Sequence, residues 1–208
     1  MVKKQQPWLD WAREIQALGQ TGIAYGKDEY DRQRYRRLLE IAAEIIAGHT
    51  THTQQSVVAD FLLQTGYATP KVDVRGAVVQ DGQILLVQER SDERWCLPGG
   101  WADVGVGPAE MVVREVWEES GFETRPQQLI GIYNANQTQE PLAYYHAYKI
   151  IFLCEIVGGE ARPSAETMAV DFFAFDALPA LSMNRTSERH LQDVWTCVQN
   201  GRQTAVFD

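Results

Sequence analysis

Cysteine is scarce in this chain: Cys96, Cys154 and Cys197 are its three cysteines in 208 residues. They lie far apart, their number is odd and no CxxC pair occurs, so neither a zinc site nor a disulfide framework is suggested. Three reduced and mostly buried thiols are expected, as in a cytoplasmic protein. Long apolar runs are missing too. The start MVKKQQPWLD is basic but has no apolar run behind it, so it does not read as a signal peptide, and no stretch approaches the length of a membrane span. Positive charge is in deficit: 19 Lys and Arg stand against 28 Asp and Glu, a net charge of −9. Such a chain gains little from the long-range attraction behind non-specific nucleic-acid binding, so no stable nucleic-acid partner is expected. A small anion can still be held through a bound cation. What is present is ordinary for a globular protein, 45% hydrophobic and 23% charged, with enough length for one good-sized domain plus an accessory piece.

The chain changes character near residue 70. Residues 7 to 66 carry almost no strand signal and read as three helices. The first, 8–18, has Trp8, Leu9, Trp11, Ala12, Ile15 and Leu18 at helical spacing and is broken by Gly19, Gly22 and Gly26. A second spans 27–47, with Asp28 and Glu29 at its start and Gly48 at its end, and a third spans 54–65. From residue 72 strands dominate. VDVRGAVV and QILLVQER flank an Asp81-Gly82 turn, a strong hairpin signal. Residues 129–134, 144–159 and 170–175 read as further strands, and 186–199 as a final helix. The expected division is a helical region, 1–67, followed by an α+β domain, 70–208.

Between these lies LPGGWADVGVGPAEMVVREVWEESGF, residues 97–122. Pro108 suits the first position of a helix and Gly121 the residue just past its end, so 108–120 is read as helical. On that helix Glu115, Glu118 and Glu119 fall at spacings of three and four, within roughly 100° of one another. Ala109, Val112, Val113, Val116 and Trp117 occupy the other side. Like charges so placed repel by a few tenths of a kcal/mol per pair, roughly, and the C-terminal half of a helix disfavours anions. A bound divalent cation reverses the sign of that interaction; hard cations such as Mg²⁺ take oxygen ligands and keep sites for water and phosphate. An acidic helix face by itself is commonly just solvated. Here it follows Gly99-Gly100, a pair that lets the backbone approach a ligand closely.

The pattern from Gly100 through Arg114, Glu115, Val116, Glu118, Glu119, Gly121 and Phe122 resembles the signature of the Nudix hydrolases. That resemblance implies an α/β/α sandwich with a mixed sheet, here preceded by a small all-helical N-terminal region. It implies Mg²⁺ or Mn²⁺ and hydrolysis of a nucleoside diphosphate linked to another group. By analogy Glu115 and Glu119 would be the main metal ligands, with Glu118 a further or water-bridged one and Gly99 beside them. Arg114 would brace the carboxylates, and Gly99, Gly100 and Arg75 would lie against substrate. The helical N-terminus followed by GGWADVG is similar to a bacterial subgroup acting on X-linked nucleoside diphosphates, of ADP-ribose or CDP-choline pyrophosphatase type.

One position departs from the signature: Val106 stands where the family usually has its first glutamate. Asp103, in the same loop, could compensate, or could simply cap that loop. Glu166, in SAETM, is the candidate general base by analogy with related enzymes, its alternative being an exposed loop residue. Arg75 is odd inside an apolar strand and reads either as a phosphate contact or as an edge position; Arg90 and Arg185 have similar standing. Tyr133, Tyr144, Tyr145 and Tyr148 are expected in packing roles, and His146 and His190 receive none. A homodimer assisted by the N-terminal helices is expected, since a piece of that size buries a limited core. Two other readings stand beside this one. The first is an RNA-processing or nucleotide-sanitising hydrolase, trimming 3′ ends of RNA for example. The second is a nucleotide-sensing module without catalysis, for which the run Arg32, Arg34, Arg36 and Arg37 keeps a DNA-binding N-terminus open.

Overall fold

The computed structural model describes residues 7–135, 144–201 and 204–208. They form two compact units, one up to residue 70 together with 144–146 and one of the remaining residues from 71 onward. Among the described residues no helix is long and apolar enough to cross a membrane.

The first unit is helical, with α1 (Pro7–Tyr25), α2 (Glu29–His49) and α3 (Gln54–Leu62). Asp28 and Thr53 cap α2 and α3, their side chains accepting from the amides of Asp31 and Ser56, which satisfies donors that a helix start leaves free. Ala12, Leu39, Ala43, Ile46, Val57 and Phe61 meet in its core. The glycines do not break α1 at residue 19. A Cβ on Gly22 would lie inside the Tyr35 ring and one on Gly19 would lie 2.8 Å from Leu39 Cδ2. These glycines therefore let α2 lie close along α1, and that packing outweighs a helical penalty of about 1 kcal/mol per glycine. The basic run on α2 is not a free patch either. Arg34 pairs with Asp31, Arg36 with Glu29, and Arg37 with both Glu40 and Glu44. Tyr144 and Tyr145 belong to this unit rather than to a strand: Arg13 donates to their carbonyls at 2.7 and 3.1 Å.

The second unit runs β1 (Lys71–Gln80), β2 (Gln83–Glu89), β3 (Trp95–Cys96), β4 (Gly99–Trp101), α4 (Pro108–Ser120), β5 (Phe122–Asn134), β6 (Ala147–Gly159), β7 (Thr167–Ala174), α5 (Glu188–Asn200) and β8 (Val206–Phe207). All eight strands join one mixed sheet. At its centre β1 and β6 run parallel, from Lys71 opposite Ala147 to Val78 opposite Cys154. The β1–β2 hairpin turns on Asp81 (φ 51°) and Gly82 (φ 78°), both in the left-handed region that a two-residue hairpin turn requires. Strand β5 begins seven residues before the expected 129, and its pairing with β6 shifts register at three places, including Pro126/Gln128.

Successive residues of β1 point to opposite faces. Val74 and Val78 pack with Met111, Val112 and Val116 of α4. Ala77, on the other face, packs with Leu191 and Val194 of α5. The result is an α/β/α sandwich, as the sequence led us to expect. The three cysteines are buried free thiols. His190 has a structural role, since with Ser187 it forms the capping box of α5.

Candidate active site

Helix α4 carries the carboxylates, and its ends fix where they point. Gly107 is the N-cap, Pro108 opens the helix, and Gly121 closes it with φ 80° while donating to the Trp117 carbonyl at 2.9 Å. Val106, just outside the cap, packs in the same apolar cluster as Met111, four residues into the helix. Their positions are those of a hydrophobic staple. The residue that lacks a carboxylate therefore anchors the loop to the helix.

Glu119 is 6% exposed and accepts the Gly99 N–H on Oε2 at 2.9 Å. Glu115, one turn earlier, lies over Gly100, where a Cβ would come 3.0 Å from its Oε2. Gly99 itself has φ 143°, and a Cβ there would press on the Val74 carbonyl and lie 2.8 Å from Arg75 Cα. Gly99 is thus required by its close approach to strand β1, while Gly100 leaves room for the Glu115 carboxylate over it. Burial pushes the Glu119 carboxyl up to about 8, with Arg75 and the Gly99 N–H opposing the rise and Glu89 and Glu115 adding to it. Burial likewise pushes Glu115 up to about 7, with Glu118 and Glu166 adding and Arg75 and Arg114 opposing.

Two carboxylates raised in this way are groups whose ionised forms lack sufficient positive charge nearby, and they are hard oxygen donors. That donor set fits Mg²⁺ or Mn²⁺. The side chains are not drawn together beforehand: among the described residues no three His, Cys, Asp or Glu side chains converge on one point.

The other expected site residues separate into groups. Glu118 is exposed on the same helix, with Arg114 Nε 4.0 Å from its Oε1. The main partner of Arg114 is Asp103, to which its Nη2 donates. Arg114 therefore ties the 102–107 loop to α4 more than it braces the carboxylates, and Asp103 is engaged there. Glu166 is exposed, with its backbone held by Arg90 N–H on its carbonyl at 3.2 Å and by its own N–H on Ser164 Oγ at 3.0 Å. Next to it, Thr167 donates to the Glu119 carbonyl at 3.0 Å. This bond fastens the Glu166 loop to the end of α4. Arg75 is neither at an edge nor free for a phosphate. It is 3% exposed, and its Nε and Nη2 each donate to Asp73 at 2.9 Å. The reason is its strand, which is flanked by β4 and β6 along that stretch.

Sequence reasoning missed three groups. Glu89, at the end of β2, adds to the rise of Glu119 and is held by Arg185 Nε at 3.2 Å. Asp73 and Lys149 lie beneath the LPGG segment, fully buried. A signal for Asp73 existed: with Arg75 two residues on, it places opposite charges on one face of an apolar strand.

A mixed-sheet sandwich with a glycine-loop–helix carboxylate site defines a class, and comparison with known proteins places the chain in it. Residues 70–194 match the model of the NUDIX domain, and residues 6–61 match a model described as a UDP-X-like, N-terminal oligomerisation domain. The chain is 39% identical, over the whole length of both, to a putative ADP-ribose pyrophosphatase of Bacillus subtilis (strain 168). Two solved structures are similar. A UDP-X diphosphatase is 30% identical, covering 99% of this chain and 100% of its own, with a TM-score of 0.63. An ADP-ribose pyrophosphatase from Streptococcus suis 89-1591 is 35% identical, covering 67% of this chain and 100% of its own, with a TM-score of 0.59. The chain belongs to the Nudix family and is a Nudix pyrophosphohydrolase.

Proposed function

We propose that the protein hydrolyses the pyrophosphate bond of a nucleoside diphosphate linked to a further group, in the manner of an ADP-ribose pyrophosphatase, releasing a nucleoside monophosphate and a phosphorylated X group. The observation that carries this reading is Glu119, buried, held by the Gly99 amide and one turn from Glu115. Glu115 and Glu119, with Glu118 at the exposed end of the set, would hold Mg²⁺ or Mn²⁺. When bound, such a cation withdraws charge from the pyrophosphate oxygens and lowers the pKa of a bound water. Glu166 is the base that takes the proton of the attacking water; its contribution to the rise of Glu115 supports its nearness to the site. The relatives named for ADP-ribose support that substrate. A second reading, a UDP-linked substrate, is favoured by the solved neighbour that spans the whole chain.

The test is phosphate release from monophosphate products. It needs a panel of ADP-ribose, UDP-linked sugars and CDP-choline, with Mg²⁺, with Mn²⁺ and with chelator. Turnover of ADP-ribose that disappears with chelator is the expected result. Turnover of none of the panel with either cation would overturn the reading.

We also propose that residues 1–67 serve self-association, which the description of the matching N-terminal model supports. Sedimentation equilibrium at micromolar concentration should give twice the 23.5 kDa of one chain. A mass equal to one chain would remove the homodimer.

A further inference from the structure

Three ionisable side chains lie almost completely buried near Glu119 of the carboxylate helix, itself 6% exposed: Asp73 at 1%, Arg75 at 3% and Lys149 at 0%. Asp73 is the hub. It faces Arg75 with both oxygens, at 2.9 Å each, and Lys149, its register partner on β6, at 3.7 Å. Each cation then holds backbone. Arg75 Nη1 donates to the Leu97 carbonyl at 3.1 Å. Lys149 Nζ donates to the carbonyls of Asn184, at 3.4 Å, and Arg185. The next residue, Thr186, accepts the Leu97 N–H on its Oγ1 at 2.9 Å. Leu97 is therefore fixed on both sides, its carbonyl by Arg75 and its amide by the segment that Lys149 pins.

We propose that Asp73, Arg75 and Lys149 form a clamp on the LPGG backbone, and that they act as positioning residues for Glu119. Two residues beyond Leu97, Gly99 lies against Arg75 and gives its N–H to Glu119 at 2.9 Å. The path from Asp73 to the carboxylate is short: hydrogen bonds through Arg75 to Leu97, two residues of LPGG backbone, and the hydrogen bond from Gly99. Stability does not account for it. Well-packed apolar residues commonly match or exceed a buried ion cluster in stability, because desolvating each ion is expensive. A metal ligand needs such preorganisation, since small displacements lose rate steeply.

This inference rests on the reading of Glu119 as a ligand, and its test separates the two. Arg75→Met, Arg75→Lys and Thr186→Val would be made in the full chain. Three quantities are read: amide hydrogen exchange at Leu97 and Gly99, Mn²⁺ affinity by electron paramagnetic resonance without substrate, and kcat and KM on the best substrate of the panel. In Arg75→Met the Gly99 amide should exchange at least ~10-fold faster, Mn²⁺ should bind at least ~5-fold more weakly, and kcat should fall ~10- to 100-fold with KM nearly unchanged, as for other residues that orient a ligand. Arg75→Lys should recover part of each. Thr186→Val changes no charge, so it loosens Leu97 in a protein whose charge set is intact and should show the same pattern more weakly. The charge-neutral variant discriminates. Thr186→Val leaves every charge in place, so unchanged Mn²⁺ binding and a normal kcat in it, with only a lower melting temperature, overturns the clamp. A wild-type protein that neither binds Mn²⁺ nor turns over any substrate overturns the proposed function instead, while the exchange measurement still decides the clamp.

Discussion

Replacing Glu119 by glutamine is expected to lower kcat by ~10³-fold or more, equivalent to ~4 kcal/mol of lost transition-state stabilisation. It should do so without unfolding the protein. Glutamine is close to the same size and keeps an oxygen that can accept the Gly99 N–H, the bond that now holds Oε2 at 2.9 Å. Its effect on stability has a definite sign. Burial raises the Glu119 carboxyl from an ordinary 4.5 to about 8, so between those values the folded protein binds more protons than the unfolded chain. Stability from this group is therefore lost as pH rises across that window. Without metal, Glu119→Gln should match the wild type near pH 4.5 and become more stable than it toward pH 8. Added Mg²⁺ or Mn²⁺ should then stabilise the wild type and not the variant, because a ligand that binds only the folded state raises its stability. Thermal unfolding at several pH values, with and without metal, reads both effects. A variant that keeps near-normal turnover would remove Glu119 from the mechanism.

The second large effect is expected at a residue outside the carboxylate helix. Asp73→Asn leaves Arg75 and Lys149 buried with no anion between them, and breaking a buried pair from one side typically destabilises by ~3–5 kcal/mol. For a domain of this size that is a drop in melting temperature of ~10 °C or more. The pH dependence is opposite to that of Glu119. Burial alone would raise the Asp73 carboxyl, but Arg75 and Lys149 override it and hold it below the ordinary aspartate range. Its contribution is thus fully present above the unfolded value of about 3.9 and is lost as pH falls through the depressed one. The gap in stability between wild type and Asp73→Asn should be wide at neutral pH and close in strong acid. A variant within ~1 kcal/mol of wild type at neutral pH would mean that the two cations find other partners, contrary to the penalty for an uncompensated buried charge.

The carboxylate helix is legible in the sequence because both its ends are marked by local chemistry. Pro108 and Gly121 act through their own backbone preferences, and Glu115 and Glu119 share a face through helical geometry alone. The hairpin at Asp81-Gly82 is legible for the same reason. What stays hidden depends on partners distant in sequence. Helix α1 runs through its glycines because Tyr35 and Leu39 occupy the space they leave. Strands β3, β4 and β8 have two or three residues each, too few to show an alternation. Arg75 reads as a phosphate contact or an edge residue because its partner Asp73, although only two residues away, becomes significant only once both are enclosed by β4 and β6. Val106 reads as a lost carboxylate, and its packing with Met111 shows what stands in place of one.

The parallel alignment of β1 and β6 has a consequence for how the molecule assembles. Asp73 and Lys149 are far apart along the chain, so the pairing that brings them opposite each other must close a long loop, which makes it a late event in folding. Sliding β6 by one residue would turn Lys149 to the other face of the sheet, among Val74, Val112 and Val116. A lysine enclosed there would lose Asp73, its partner in the observed register. The buried lysine therefore acts as a key for strand alignment, accepting one register and rejecting its neighbours. The reactive carboxylate helix can form early from local signals, but its final setting waits for that key to turn.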